Sequence, residues 1–281
     1  FYGCTGLTSA TIGNGVTWIG QEAFYNCTGL TSITIPDSVT SIGSNAFYNC
    51  TGLTSVTIGN GMTSIGNSAF YNCTGLTSIY YTGDVAGWCG ISGLDNLMSS
   101  SRTLYIGGNK IEGELIIPDG VTSIGNSAFR GCSGLTSITI PDSVTSIGTD
   151  AFRGCYRLVE VYNKSTLSIT AGSTSNGYVA YCAKNVYTNE GGSKLTTDEN
   201  GYVIYTDGAE KILVAYRGTN TELILPSGIT QINQYAFYYC SGLTSVTIPD
   251  SVTSIGDYAF YGCTGLTSAT IGNGVTWIGQ E

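Results

Sequence analysis

Whatever chemistry this chain performs has to be done without histidine. Ten cysteines and 19 acidic side chains are present, but none of the 281 residues is His. That absence removes Ser-His-Asp and Cys-His activation of a nucleophile, and every histidine-ligated metal site, at once. The cysteines come next, and their spacing is regular. Cys4, Cys27, Cys50 and Cys73 stand 23 residues apart, as do Cys132 and Cys155, and again Cys240 and Cys263. No Cys-x-x-Cys spacing occurs, so zinc is not expected. Equivalent residues of stacked coils carry parallel Cα–Cβ vectors, too far apart for the Cβ separation of about 3.8 Å that a disulfide needs. The column is therefore expected to be a ladder of buried thiols acting as small hydrophobes. Cys89 and Cys182 fall outside it, and their pairing stays open. Glu112 and Glu114 lie two apart near a predicted hairpin and read as a solvated face, not an acid–base pair. No catalytic residue, metal or cofactor is expected, and the chain reads as a non-enzyme.

Binding chemistry has better candidates. The residue after each phenylalanine forms a column of Tyr2, Tyr25, Tyr48, Tyr71, Arg130, Arg153, Tyr238 and Tyr261. Tyrosine and arginine are the types enriched at interfaces and their energetic centres. The competing reading is that each ring lies flat on the next and seals a rim. A second candidate surface is a Ser/Thr ladder (Ser32/Thr34, Ser55/Thr57, Ser137/Thr139, Ser245/Thr247), broken only by Tyr80, Glu160 and Tyr162. Departures from a repeat are where binding is grafted onto a scaffold; otherwise these three pack beneath inserted segments. Four Asn-x-Ser/Thr sequences begin at Asn26, Asn49, Asn72 and Asn163; they matter only where the asparagine is exposed and a glycosylating host is the source.

The element that must position these residues is a 23-residue unit, clearest over residues 19–42. Leu30, Ile33 and Ile35 alternate with Ser32 and Thr34, which predicts a strand with one face inward. Pro36-Asp37-Ser38 is a turn, replaced in another copy by Gly59-Asn60-Gly61. Val39 and Ile42 return to the core, and Ala46 and Phe47 of the next copy occupy about one helical turn. That turn ends on Gly3, Asn26, Asn49, Asn72, Gly131, Gly154 or Gly262, which accept a left-handed backbone. Tyr239 is the exception, where strain or local rearrangement is expected. All eight phenylalanines stand three residues before a column cysteine, and a leucine stands three after each. One coil cannot bury its own apolar edge; stacked coils can, with a parallel sheet at about 4.8 Å spacing.

Two insertions interrupt the array, since Ile65 to Ile124 spans 59 residues and Ile147 to Ile232 spans 85. Residues 82–114 predict a short helix near Val85–Ile91 anchored by Trp88, then a hairpin from Leu104–Ile106 through Gly107-Gly108-Asn109 towards Leu115–Ile117. Residues 163–221 predict a helix over Tyr178–Lys184, then strands near Tyr202–Thr206, Lys211–Arg217 and Glu222–Leu225 forming a β-meander laid against the coils.

The net charge of −9 and pI near 4.4 argue against nucleic acid as a partner, because a row of phosphates would stay unneutralised. All ten bases lie between Arg102 and Arg217, while residues 1–101 and 218–281 each carry four acids and no base. No stretch approaches the roughly 18–20 apolar residues that span a bilayer, so no membrane insertion is expected in this segment. Residues 1–22 and 260–281 are identical, which suggests a portion of a longer array containing a recent duplication. Uncapped apolar ends of such an array favour weak head-to-tail self-association.

The recurring string IPDSVTSIGxxAFxxCxxLTSxTI closely resembles the BspA-like leucine-rich repeats of bacterial and protist surface proteins. The insertion endings TLYIGGNKIEGELIIPDG and SKLTTDENGYVIYTDGAEKILVAYRGTNTELILPSG also look like segments common in that family. The fold expected is an α/β solenoid, a leucine-rich-repeat right-handed superhelix of 23-residue coils with a parallel sheet. It forms a single domain over 1–281, with repeat blocks 1–81, 115–162 and 222–281. The resemblance implies a secreted or cell-surface module that binds another macromolecule, a protein or a glycan, with adhesion to a host protein as the leading reading. The alternatives are a structural spacer that displays another domain and a carbohydrate-binding module.

Overall fold

Alternation decides the first side of each coil. In Ser32–Ile35 the isoleucines are buried and Ser32 and Thr34 are exposed, the period of two expected of a half-buried strand. Pro36 to Val39 then closes a tight turn (Val39 N–H to Pro36 O, 3.0 Å), and Ser41–Ile42 makes a second, two-residue strand. The third side contains no helix. Consecutive turns carry the chain through Phe47 to Leu53, so the expected helical turn is replaced by a turn ladder. Among the described residues, which are 1–188 and 192–280 of this computed structural model, the only α-helix is Val85–Cys89.

The chain divides into two units, Phe1–Asn189 and Glu190–Glu281. In the first, Ser32–Ile35, Ser55–Ile58, Ser78–Tyr81 and Thr103–Ile106 pair in parallel, with Ser32 opposite Ser55, Ser55 opposite Ser78 and Ser78 opposite Thr103. A second parallel sheet orders Gly113–Ile116, Leu135–Ile140, Glu160–Asn163 and Asn185–Tyr187. The short strands form their own ladders beside them. Phe24, Phe47 and Phe70 stack at centroid separations of 5.0–5.1 Å inside a core that also holds the leucine and cysteine columns. This is the expected solenoid of coils stacked at a strand's spacing.

The first insertion is a coil of the stack, not an appendage. Its Thr103–Ile106 continues the long-strand sheet, and Ser92 bridges Ser64 on the short-strand side. Two side chains replace main-chain groups that its altered sequence no longer offers. Elsewhere the phenylalanine N–H donates to an alanine carbonyl of the next coil, as from Phe24 to Ala46 and from Phe47 to Ala69. At Ala128 the donor is the buried Trp88 indole Nε1–H, at 2.7 Å. Likewise Ser68 N–H meets the Asn96 side-chain oxygen at 2.8 Å instead of a backbone carbonyl. The hairpin is shorter than expected: Asn109–Lys110 folds back on Tyr105 and Ile106, whereas Leu115 joins the next sheet in parallel with Ile138.

The second insertion is shared between the units. Its Asn185–Tyr187 extends a parallel sheet of the first unit. The helix expected over Tyr178–Lys184 is absent; a single 3-10 turn, Asn176–Tyr178, stands in its place. Positive φ at Gly177 (62°) and Tyr178 (67°) prevents an α-helix from propagating there. In the second unit Leu195–Thr197, Tyr202–Asp207 and Glu210–Tyr216 form an antiparallel meander, whereas Glu222–Ile224, expected as its last strand, pairs in parallel with Ser245–Ile248. The meander is continuous with the coils, because Glu210–Tyr216 pairs in parallel with Gln231–Ile232. Beyond it run Ser254–Ile255 and Trp277–Ile278, with Glu222–Ile224, Ser245–Ile248 and Ser268–Ile271 alongside. A separate core collects Tyr202, Tyr216, Phe237 and the leucine and isoleucine columns of this unit.

Candidate functional site

The turn ladder places the tyrosine column, and two left-handed residues per coil shape it. The first set is the one expected from residue type: Gly3, Asn26, Asn49, Asn72, Gly131, Gly154, Gly262 and also Tyr239 have φ between 56° and 88°. Tyr239 keeps the fold of its neighbours and takes the strained conformation. The second set lies four residues earlier, at Glu22, Asn45, Ser68, Ser127, Asp150, Tyr235 and Tyr258, with φ of 55–59°. Residue type gives no signal there, since no glycine occurs. The cause is the stacking itself. In the regular coils the N–H groups of three alternate residues donate to the next coil, as Glu22 to Ser44 O, Phe24 to Ala46 O and Asn26 to Tyr48 O at 2.7–3.1 Å, and the same triplet starts at Asn45, Ser127 and Tyr235. The left-handed residues at either end turn those donors to one side. A non-glycine residue in that conformation costs about 1–2 kcal/mol, a strain held by the repeated bonds.

On this ladder Tyr2, Tyr25, Tyr48 and Tyr71 stack face to face, with centroids 4.8, 4.9 and 5.1 Å apart and interplanar angles of 3°, 4° and 23°. The ring faces of Tyr25 and Tyr48 are therefore occupied by their neighbours, and those two residues are half-buried. Tyr2 and Tyr71 are 63% and 60% exposed. The result is an ordered ridge that offers ring edges and phenol groups but no open inner face. Arg130 and Arg153 take the same column position in another part of the unit and share the Asp150 carboxylate, at 3.9 and 3.2 Å. Arg153 also lies 5.8 Å from the centre of the Tyr178 ring. These partly exposed pairs contribute little stability, and they orient the two guanidinium groups. Tyr238 and Tyr261 stack at 5.5 Å in the second unit, accompanied by Tyr235, Tyr239 and Tyr258, which the column pattern does not pick out.

The three sheet-face departures separate on exposure. Tyr80 is exposed and stacks on Tyr105 of the first insertion at 4.7 Å. Tyr162 is half-buried and stacks on Tyr187 at 5.0 Å. Glu160 has no exposed surface. It lies opposite Asn185 in the sheet and accepts a hydrogen bond from the Tyr162 hydroxyl at 3.0 Å. As a direct ligand contact Glu160 is thus corrected to an interior residue, flanked in the sheet by Asn185 of the second insertion on one side and Ser137 on the other.

The cysteine column is a ladder with a direction. Cys27, Cys50, Cys73, Cys155 and Cys263 donate their S–H to the carbonyls of Phe1, Phe24, Phe47, Phe129 and Phe237 on the preceding coil, at 3.0–3.2 Å. None of the ten cysteines is in a disulfide. Burial pushes the Cys132 thiol up to about 12, and burial, aided by the nearby Asp84 charge, does the same for Cys89. Cys155 is raised by burial and then by Cys132 and Cys182, so Cys182 lies beside the ladder's end. Such thiols are inert. Among the described residues no group of three or more acidic or thiol side chains is arranged to hold a metal ion, and no helix is long and apolar enough to cross a membrane.

The Asn-x-Ser/Thr sequences are structural. Asn49 donates to the Asn26 side-chain oxygen at 2.7 Å and Asn72 to that of Asn49 at 2.6 Å. Asn163 is buried, and its oxygen accepts from the Ser165 hydroxyl at 2.6 Å.

Fold and surface together define a repeat solenoid that presents ordered side-chain columns, the architecture of an interaction scaffold. The chain belongs to the family of the BspA type leucine rich repeat region, whose sequence profile matches residues 1–87, 108–178 and 215–281 in six copies. No curated protein is similar in sequence to it. Among solved structures it is similar to a leucine rich cell surface protein from Faecalibacterium prausnitzii, at 28% identity over 93% of this chain and 66% of that one, TM-score 0.37. A leucine-rich repeat protein from Bacteroides ovatus shares 24% identity over 95% of this chain and 67% of its own, TM-score 0.38. The pneumococcal vaccine antigen PcpA shares 18% identity over 92% and 57%, TM-score 0.31. The chain thus spans about two thirds or less of these proteins.

Proposed function

We infer that this chain is a non-enzymatic binding module displayed outside the cell, and that its protein partner is held along the Tyr2–Tyr71 ridge. The observation that carries this reading is the stack itself, four rings in register at 4.8–5.1 Å. A tyrosine already ordered by its neighbours loses little entropy on binding, while its edge and hydroxyl offer both apolar contact and hydrogen bonds. The surrounding residues 1–101 carry four acids and no base, so the ridge suits a partner that is neutral or basic. The family resemblance supports surface display, and burial of most column thiols suits an oxidising exterior.

The test is solid-phase binding of the purified chain to fibronectin, laminin, fibrinogen and collagen. A Tyr25→Ala/Tyr48→Ala variant is expected to lose at least about tenfold in affinity, as interface tyrosines commonly do, with its far-ultraviolet spectrum retained. A spacer without a binding role would bind none of the four, and unchanged binding by the variant would remove the ridge from the interface.

A further inference from the structure

In the second unit three left-handed positions are tyrosines: Tyr235, Tyr239 and Tyr258, with φ of 59°, 57° and 55°. Bulky side chains are the least tolerated in that conformation, and here the stacked coils hold three of them in it. With Tyr238 and Tyr261 they make a patch of five rings. Tyr235 stacks on Tyr258 at 5.2 Å and Tyr238 on Tyr261 at 5.5 Å. The two stacks meet edge-on, Tyr235 with Tyr238 and Tyr258 with Tyr261.

Tyr239 is placed differently. Its ring stands at 77° to Tyr238 and 86° to Tyr261, with centroids 4.5 and 5.7 Å away, and it is 61% exposed. Beneath it lies Gly262. A Cβ on Gly262 would sit 2.7, 3.0 and 3.1 Å from ring atoms Cδ1, Cε1 and Cγ. Those nearly equal distances put that point above the ring plane, since a position off the ring edge would be much farther from Cε1 and Cγ than from Cδ1. One face of Tyr239 therefore rests on the backbone of Gly262, and the residue is far more exposed than the half-buried inner rings of the Tyr2–Tyr71 ridge.

The geometry points to Tyr239 as a stacking platform for a neutral pyranose, with the neighbouring phenols as hydrogen-bonding groups for its hydroxyls. A flat, exposed aromatic ring suits the C–H face of a sugar ring, and tyrosine adds a polar tip. Residues 218–281 contain no Lys or Arg, which disfavours sialylated or sulphated glycans. A quaternary ammonium ligand is best held by several ring faces turned to one point, whereas the rings here stack in pairs or meet edge-on. This site is separate from the ridge proposed for a protein partner and stands or falls independently of it.

The 281-residue chain is titrated calorimetrically with cellohexaose, mannohexaose and chitohexaose, and with choline and sialyllactose as charged comparators. At least one neutral hexasaccharide is expected to bind. Tyr239→Asn should weaken it by about tenfold or more without lowering the melting temperature, because asparagine occupies the same left-handed position at Asn26, Asn49 and Asn72. Tyr239→Phe keeps the platform and should stay within about threefold, and Tyr25→Ala/Tyr48→Ala should not alter sugar binding. No binding of any of the three hexasaccharides, preference for choline or sialyllactose, or full affinity in Tyr239→Asn would each overturn the assignment.

Discussion

Substituting alanine for Gly52 tests the stacked-coil geometry directly, because an identical repeat position supplies its own control. A Cβ on Gly52 would lie 2.4 Å from the carbonyl oxygen of Thr28 on the preceding coil. That same oxygen accepts the Gly52 N–H at 3.1 Å. Restoring van der Waals contact requires the two coils to part locally by about 1 Å, against a strand spacing of about 4.8 Å. Overpacking of this kind costs about 1–3 kcal/mol, and weakening the hydrogen bond adds about 0.5–1.5 kcal/mol, so Gly52→Ala should destabilise by roughly 2–4 kcal/mol. For a body of this size that corresponds to a fall of roughly 4–16 °C in melting temperature. Gly242 holds the equivalent position, two residues after its column cysteine, and a Cβ there would meet nothing within 4 Å. Gly242→Ala should be neutral or stabilising by up to about 1 kcal/mol, through the reduced freedom of the unfolded chain. Circular dichroism melts of both variants and the parent measure the difference. Equal melting temperatures for the two alanine variants would refute the inter-coil contact.

Thiol chemistry and the first insertion supply two further tests. In the folded chain dithiobis-nitrobenzoate should react promptly with the exposed Cys4, while buried Cys27, Cys50, Cys73, Cys89, Cys132 and Cys155 should react only on unfolding. Cys132, raised from 9.0 to about 12, binds its proton more tightly folded than unfolded; its contribution to stability is whole below pH 9 and falls as pH rises from about 9 towards 12. Denaturant midpoints measured across that range should drop, and a flat profile would count against a buried neutral thiol. Trp88→Phe should cost about 1–3 kcal/mol, because the buried Ala128 carbonyl loses the indole N–H that stands in for a backbone donor. Chemical denaturation would show it, and a midpoint equal to the parent's would mean that the indole bond is dispensable.

Much of this protein was legible without coordinates, and for a local reason. Alternation at Ile33 and Ile35, the Phe–Cys–Leu spacing and the Asn or Gly at the end of each turn all follow from what one coil needs to bury and to bend. Backbone sterics and periodicity act over a few residues, so the core, the coil length and the first left-handed set could be read directly. Even Tyr239, the residue that broke the pattern, was identifiable as the place where strain would fall.

What the chain order alone left open depended on neighbours 23 or more residues away. Whether Tyr25 and Tyr48 offer faces or edges is decided by the rings of adjacent coils, and Glu160 lies in the interior with Asn185–Tyr187 paired beside it in the sheet. The second left-handed set, from Glu22 to Tyr258, has no residue signature because it serves hydrogen bonds between coils, not a turn within one. The roles of Trp88 and Asn96 were hidden for the same reason, since each replaces a main-chain partner that an inserted coil fails to supply. The residue types thus determined the repeating unit, while exposure and orientation, and with them the surfaces that can bind, were set only when the coils stacked.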